Sequence, residues 1–209
     1  MEKDTEEQEK SAEEGGREEN KLQEEIKPQK NVPSREECIS LLKEVGAQEE
    51  LIEHGKAVAD LALKMCEMYD LHHHEKRCNT ALVEAGALLH DIGRVKTHDI
   101  AHNIQGSKIL REKGYPEELC LIVERHIGAG VDVNEAEKFG LPRRNYIPQR
   151  VEEKIVAHAD NLIDGTKRIK VQDLIRKLVD KEELKIASRI IRLHNKLSKL
   201  CGIEIDEIE

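Results

Sequence analysis

An all-α helical bundle is the fold class that this 209-residue sequence predicts. Three observations lead there. Apolar residues recur at three- and four-residue spacing along most of the chain beyond residue 34, and helix start and stop residues punctuate those stretches. No stretch shows the convincing alternation of a half-buried strand, and no segment repeats another.

Pro33-Ser34 opens the folded part. Ser34 and Glu37 stand at capping-box spacing, and Cys38, Leu41, Leu42 and Val45 make the stripe of a first helix that Gly46 ends. A longer helix follows from about Gln48 to Tyr69, with Leu51, His54, Val58, Leu61 and Met65 on its inner face. A third, from about Arg77 to Leu89, delivers His90 and Asp91 at its C-terminal end. After a polar loop, a helix from about Asn103 ends near Gly114. Pro116, Glu117 and Glu118 then suit the first turn of another, which ends near His126. Gly128-Ala129-Gly130 breaks it, and residues 128–149 read as mostly loop with one short turn near Glu135. Val151 to Asp164 is helical again. A short helix near Leu174 and a long one from about Glu182 to Leu200 complete the chain. Leu184, Ala187, Ile191 and Leu197 form the last stripe, and Gly202 ends it.

Charge divides the chain unevenly. Residues 1–30 carry 11 acidic and 6 basic side chains, while the whole chain has a net charge of −9. With almost no apolar residues, that stretch cannot bury enough surface to offset the entropy of ordering, so it reads as a disordered acidic tail. The domain division is therefore 1–30 as tail and 31–209 as one helical domain with a C-terminal extension. The tail lacks the apolar core of a signal peptide, and no run approaches membrane-spanning length. Five cysteines, an odd number with no CxxC pair, fit reduced thiols and a cytoplasmic protein. Cys38, Cys66, Cys120 and Cys201 fall on apolar stripes as small core residues. With no Trp and one Phe, single-stranded nucleic acid has few rings to stack on, which argues against it as a partner.

The chemistry gathers around the dipeptide His90-Asp91. His54 lies upstream, and His102, His126 and Asp160 lie downstream. Imidazole nitrogens and carboxylate oxygens together suit first-row transition metals. His54 points inward, three residues after Leu51 and four before Val58; alone it would more often be a satisfied core histidine. Asp91 sits at a helix C-terminus, where the negative pole disfavours a carboxylate and a cation would remove the objection. Asp160, flanked by Ile155, Val156, Leu162 and Ile163, needs a partner, because an unpaired buried charge is costly. The bland alternative is a salt bridge to lysine or arginine. His98 stands four residues before His102 and could take its place. His158, two residues from Asp160, faces elsewhere and is read as a non-ligand, and His72-His73-His74 as a solvated loop.

The ordered set His54, then His90-Asp91-Ile92-Gly93, then His102-x3-Gly106, then His126, then Ala159-Asp160, resembles the HD superfamily and its HDIG subgroup. The resemblance covers roughly Leu51 to Ile163. It departs at Arg94, where many relatives carry lysine; the charge stays, but the manner of holding a phosphate changes. The resemblance implies a metal-dependent phosphohydrolase acting on a phosphoester or phosphoanhydride, a nucleotide above all, through a metal-activated water. It also implies that His54, His90, Asp91 and Asp160 hold one ion. His102 and His126 would hold a second, with Asp91 bridging. Manganese, iron, cobalt, nickel and zinc all suit such ligands. Asp91 and Arg94 are the expected catalytic residues, Arg94 as the phosphate contact and Arg143-Arg144 as second choice. Lys96, Lys108, Arg125, Lys167 and Arg168 are further cations near the site in sequence. Two other readings stay open: a di-iron oxygenase on the same fold, and a non-catalytic metal-binding regulatory module whose acidic tail is the interaction arm.

A chain beginning at Asn31 should keep the specific activity of the full chain. The assay is turnover per milligram of the two forms side by side, and a large drop would place the tail in the active site or in a required assembly.

Overall fold

The computed structural model describes residues 30–74 and 77–208, so the acidic tail expected over 1–30 lies almost wholly outside the described residues. The described part is helical, as the apolar periodicity requires. Helix α1 spans Arg35–Glu44, and Ser34 and Glu37 make the full capping box that the sequence signals. α2 spans Glu49–His72 and α3 Thr80–Leu89, the latter capped by Asn79 and starting three residues later than expected. A 3-10 turn, Ile92–Val95, follows, and then α4, His102–Glu112, and α5, Glu117–Arg125.

Seven of the ten residues of α3 are buried, from Leu82 round to Leu89. A helix apolar on every side belongs at the centre, and α3 packs against α1, α2, α5 and the later helix α7, Val151–Asn161. Because α3 is central, its C-terminal residue delivers His90 into the interior, 0% exposed. Helix α2 reaches α3 closely: a Cβ on Gly55 would stand 2.8 Å from the Leu88 carbonyl oxygen. Only a glycine permits that approach, and it carries His54, the preceding residue, alongside His90.

The motif glycines act the same way. A Cβ on Gly93 would stand 1.9 Å from the His102 carbonyl oxygen and 2.5 Å from the Gly106 nitrogen. A Cβ on Gly106 would stand 2.8 Å from Val123 Cγ1. Gly93 lets the 3-10 turn and α4 meet backbone to backbone, and Gly106 leaves room for the Val123 side chain of α5.

Four expectations need correction. The short turn expected near Glu135 within 128–149 is a six-residue helix α6, Val133–Lys138, with its own capping box from Asp132 and Glu135. It roofs a small apolar cluster of Val131, Ala136, Leu141 and Tyr146. The helix expected to run to Asp164 stops at Asn161. A two-residue hairpin follows, with β1, Ile163–Asp164, paired antiparallel to β2, Lys167–Arg168. Gly165, at φ 64, opens its two-residue loop, where glycine escapes the Cβ penalty of a positive φ. The stripe on the last helix, α9 (Leu184–Cys201), is rotated from the expected one. Leu184 is 61% and Ile191 40% exposed, while Ile190, Leu193, His194 and Cys201 point inward with Ala187 and Leu197. Leu51, expected on the inner face of α2, is only half-buried and borders an open cleft.

Between hairpin and α9 lies α8, Val171–Asp180, and a final 3-10 turn spans Ile205–Glu207. All five cysteines are free and buried. Burial pushes the Cys38 and Cys120 thiols up to about 12, which suits core residues rather than nucleophiles. Among the described residues, no helix is long and apolar enough to cross a membrane.

Gly93→Ala should lower stability by about 2–3 kcal/mol, because the obstruction is backbone and cannot rotate away. Urea unfolding followed by circular dichroism measures it; an unchanged midpoint would mean that the contact between the 3-10 turn and α4 is loose.

Candidate metal centre

Two of the histidines arise from helix-end chemistry. The last carbonyls of an α-helix have no partner inside the helix. His90 is the C-cap of α3, and its Nδ1 meets the Ala87 carbonyl at 2.7 Å. His126 is the C-cap of α5, and its Nδ1 meets the Val123 carbonyl at 2.7 Å. His102, the first residue of α4, turns Nδ1 to the Asp99 carbonyl at 2.6 Å. His54, mid-helix in α2, has no free local carbonyl and reaches the hairpin instead, Nδ1 to the Gly165 carbonyl at 2.7 Å.

A carbonyl only accepts, so each Nδ1 donates its hydrogen. In its neutral form each ring then carries its lone pair on Nε2. All four Nε2 atoms point at the same small volume. His54 Nε2 lies 3.1 Å and His90 Nε2 3.3 Å from Asp160 Oδ1. His102 Nε2 lies 3.0 Å and His126 Nε2 3.5 Å from Asp91 Oδ1, and these two nitrogens are 3.1 Å apart. Asp91 Oδ2 faces the other way, 3.7 Å from His90 Nε2 and 2.5 Å from Arg94 Nε.

Lone pairs and carboxylate oxygens packed this closely repel unless cations stand among them. The buried atoms His90 Nε2 and Asp91 Oδ1 have no hydrogen-bond partner, although polar atoms lie within reach of both. Such orphaned acceptors, in a set of nitrogen and oxygen donors, fit divalent metal ions. Two triads lie close enough to share an ion: His54, His90 and Asp160, and His90, Asp91 and His126. The Nδ1–carbonyl bonds supply the outer contacts that fix ligand orientation in metal sites.

Electrostatics reflect the same crowding. Burial disfavours charge on His90, but the carboxylates of Asp91 and Asp160 outweigh it and raise its pKa to about 9. Burial would raise Asp91 and Asp160, yet the surrounding imidazoles, His90 foremost, hold both well below the usual carboxylate range. Burial lowers His126, with Asp91 opposing.

The structure thus brings His54, His90, Asp91, His102, His126 and Asp160 together. Asp160 meets histidines, and not the lysine or arginine of the bland reading. His102 rather than His98 reaches the centre; His98 is exposed on the wall of the adjoining cleft. His158 faces the opposite side of α7, 2.9 Å from His194 Nδ1, and burial drives its pKa down to about 3. Arg94 borders the cleft, whereas Arg144 and Arg125 are engaged in ion pairs with Glu124 and Glu153. The Gly165 carbonyl escapes a reading by apolar periodicity. Asp164-Gly165 is the turn signal that marks it.

A model of the HD domain family matches residues 51–164. A tRNA (cytidine(56)-2'-O)-methyltransferase of Picrophilus torridus is 42% identical over 179 residues, which cover 86% of this chain and 50% of the relative. An uncharacterised protein of Methanocaldococcus jannaschii is 45% identical over 168 residues, covering 79% of this chain and 97% of that protein. The chain spans about half the length of the first curated relatives it matches. Among solved structures, the HD domain of the L. monocytogenes phosphodiesterase PgpH in complex with cyclic-di-AMP is similar at TM-score 0.49 and 16% identity. It covers 78% of this chain and 94% of its own.

A cation held by His90 would have to displace the proton on that ring, whose pKa of about 9 lies above the ordinary 6.5. The sign follows: that proton is held at neutral pH and lost as pH rises through about 9, so metal affinity should climb over the same range. Manganese titration of metal-free protein in buffers of different ionisation enthalpy reads the proton release. Affinity independent of pH would contradict it.

Proposed function

Since the chain belongs to the HD domain family over residues 51–164, we propose that it is a metal-dependent phosphohydrolase acting on nucleotide phosphoesters or phosphoanhydrides. The observation that carries this reading is the convergence of four imidazole Nε2 atoms and two carboxylates on one edge of an open cleft. His54, His90, Asp91 and Asp160 would hold one ion. His102 and His126 would hold a second, with Asp91 bridging. The split of the Asp91 carboxylate supports the bridge, since Oδ1 faces His102 and His126 while Oδ2 faces His90. Ions held there would lower the pKa of a water molecule and stabilise charge on the phosphoryl oxygens.

The residues of the chain supply the positioning. Arg94 spends Nε on Asp91 Oδ2, which orients its guanidinium toward the cleft. The remaining N–H groups form a planar fork suited to phosphate oxygens. Buried rings of His90, His102 and His126 exclude water from behind the centre, which strengthens each charge interaction within it. The relative from Picrophilus torridus carries the name of a tRNA methyltransferase. The methyl transfer in that name belongs to a protein of which this chain spans half. The chemistry is confined, in this reading, to residues 31–209.

Asp91→Asn should abolish hydrolysis of nucleotide phosphoesters and reduce bound metal while helical content stays. His102→Ala and His126→Ala should each lower metal content from about two ions per chain toward one. His98→Ala and His158→Ala should leave it unchanged. Metal analysis of anaerobically purified protein, with a nucleotide hydrolysis screen, decides. One ion per chain in wild type under saturating manganese would overturn the binuclear assignment. Oxygen-dependent turnover of a non-phosphate substrate would overturn the hydrolase.

A further inference from the structure

The cleft beside the centre is larger than a phosphate needs. Its volume is about 560 Å³, within the range of small-ligand sites, roughly 300–1,000 Å³. It has two walls. Asp91, Arg94 and His98 make one, and the first two turns of α2 make the other, with Glu50, Leu51 and His54. His54 and Asp91 mark the inner end. Glu50 precedes His54 by four residues, so the two share a face of α2 one turn apart, about 6 Å along the axis. A phosphate at the inner end, beside Arg94, would leave Leu51 and Glu50 as the lining available to a sugar on the α2 side of the cleft. Leu51 is half-buried and offers apolar surface there, while Glu50 is exposed at the mouth. An anionic carboxylate repels phosphate, so its fitting partner is a hydrogen-bond donor. The two hydroxyls of a ribose are two O–H donors matched to the two oxygens of one carboxylate, an arrangement known from dinucleotide sites.

We propose that this cleft is a site for nucleoside 5'-phosphates, with Arg94 and His98 taking the phosphate and Glu50 accepting from the 2'- and 3'-hydroxyls of a ribose. Glu50 thereby selects ribonucleotides over deoxyribonucleotides. The inference rests on the phosphohydrolase reading and names the sugar of its substrate.

The test is calorimetric binding to the full chain loaded with manganese. The probes are AMP, GMP, CMP and UMP beside their 2'-deoxy counterparts, with orthophosphate as the sugar-free probe. At least one ribonucleotide should bind about tenfold more tightly than its deoxy counterpart, the discrimination expected from one hydrogen bond to a charged group. Glu50→Ala should bring that ratio close to one while metal content stays and orthophosphate affinity does not fall. His98→Ala should weaken orthophosphate and nucleotide alike and leave the ratio intact. Equal affinity within all four pairs, a ratio that survives Glu50→Ala, or no nucleotide binding at all would overturn the proposal. Phosphoester hydrolysis without sugar preference would sink this site and spare the hydrolase reading. A ratio that collapses in Glu50→Ala, in a protein that hydrolyses no phosphoester, would do the reverse.

Discussion

The commitment of four imidazole Nδ1 atoms to backbone carbonyls is the constraint on which the rest of the centre depends. His54, His90, His102 and His126 each have one ring nitrogen tied to a main-chain oxygen at 2.6–2.7 Å. Each tie fixes a tautomer and a ring plane at once. The Nε2 lone pairs then have only one direction to face, and they face each other and two carboxylates. A proton on His90 offsets part of the charge of the two carboxylates, and a divalent cation would offset more. The cost of burying two carboxylates side by side is further offset by the apolar packing around α3 and by the hydrogen bonds that leave the rings little freedom.

Glycine contacts convert this local chemistry into a shared centre. His90 and His126 acquire their orientation from their own helix ends, and would do so in any context. Bringing them within a few ångströms of His54 and His102 requires helices closer than side chains allow. Gly55 against Leu88, and Gly93 against His102 and Gly106, supply that proximity. The glycines of the HDIG and HxxxG motifs are thus packing devices for the edge where the imidazoles converge, and their role is steric rather than chemical.

The two histidine clusters on α7 show how one helix separates functions. Asp160 faces the carboxylate-and-imidazole centre, and His158, two residues earlier, faces His194 and, beyond it, Glu204. The helical rotation between the two positions sends a carboxylate to one side and an imidazole to the other. One side opens to the cleft through His54 and Asp91; the other is sealed beneath α9. Membership of the HD domain family accounts for the first and says nothing of the second.

Much was legible in the sequence because it is local. Apolar spacing places α1 to α5, Ser34 and Glu37 announce their capping box, and the motif residues mark which polar groups stand at helix ends. What stayed hidden depends on which elements meet. The hairpin after α7 is two residues per strand, too short for any periodicity, yet its Gly165 carbonyl holds His54. The inward face of α9 could not be read from Leu184 and Ile191, because a helix with apolar residues on several sides leaves its rotation to the neighbours it packs against. The motif already puts His102 ahead of His98, and Asp160 among the expected metal ligands; what three dimensions add is which oxygen each ring meets, His54 and His90 at Asp160 Oδ1 and His102 at Asp91 Oδ1. Sequence alone determined the longer helices and the inventory of donors, since both follow from spacing along one chain. The tertiary structure decided which nitrogen of each ring faces which oxygen, because that depends on carbonyls supplied by other parts of the fold.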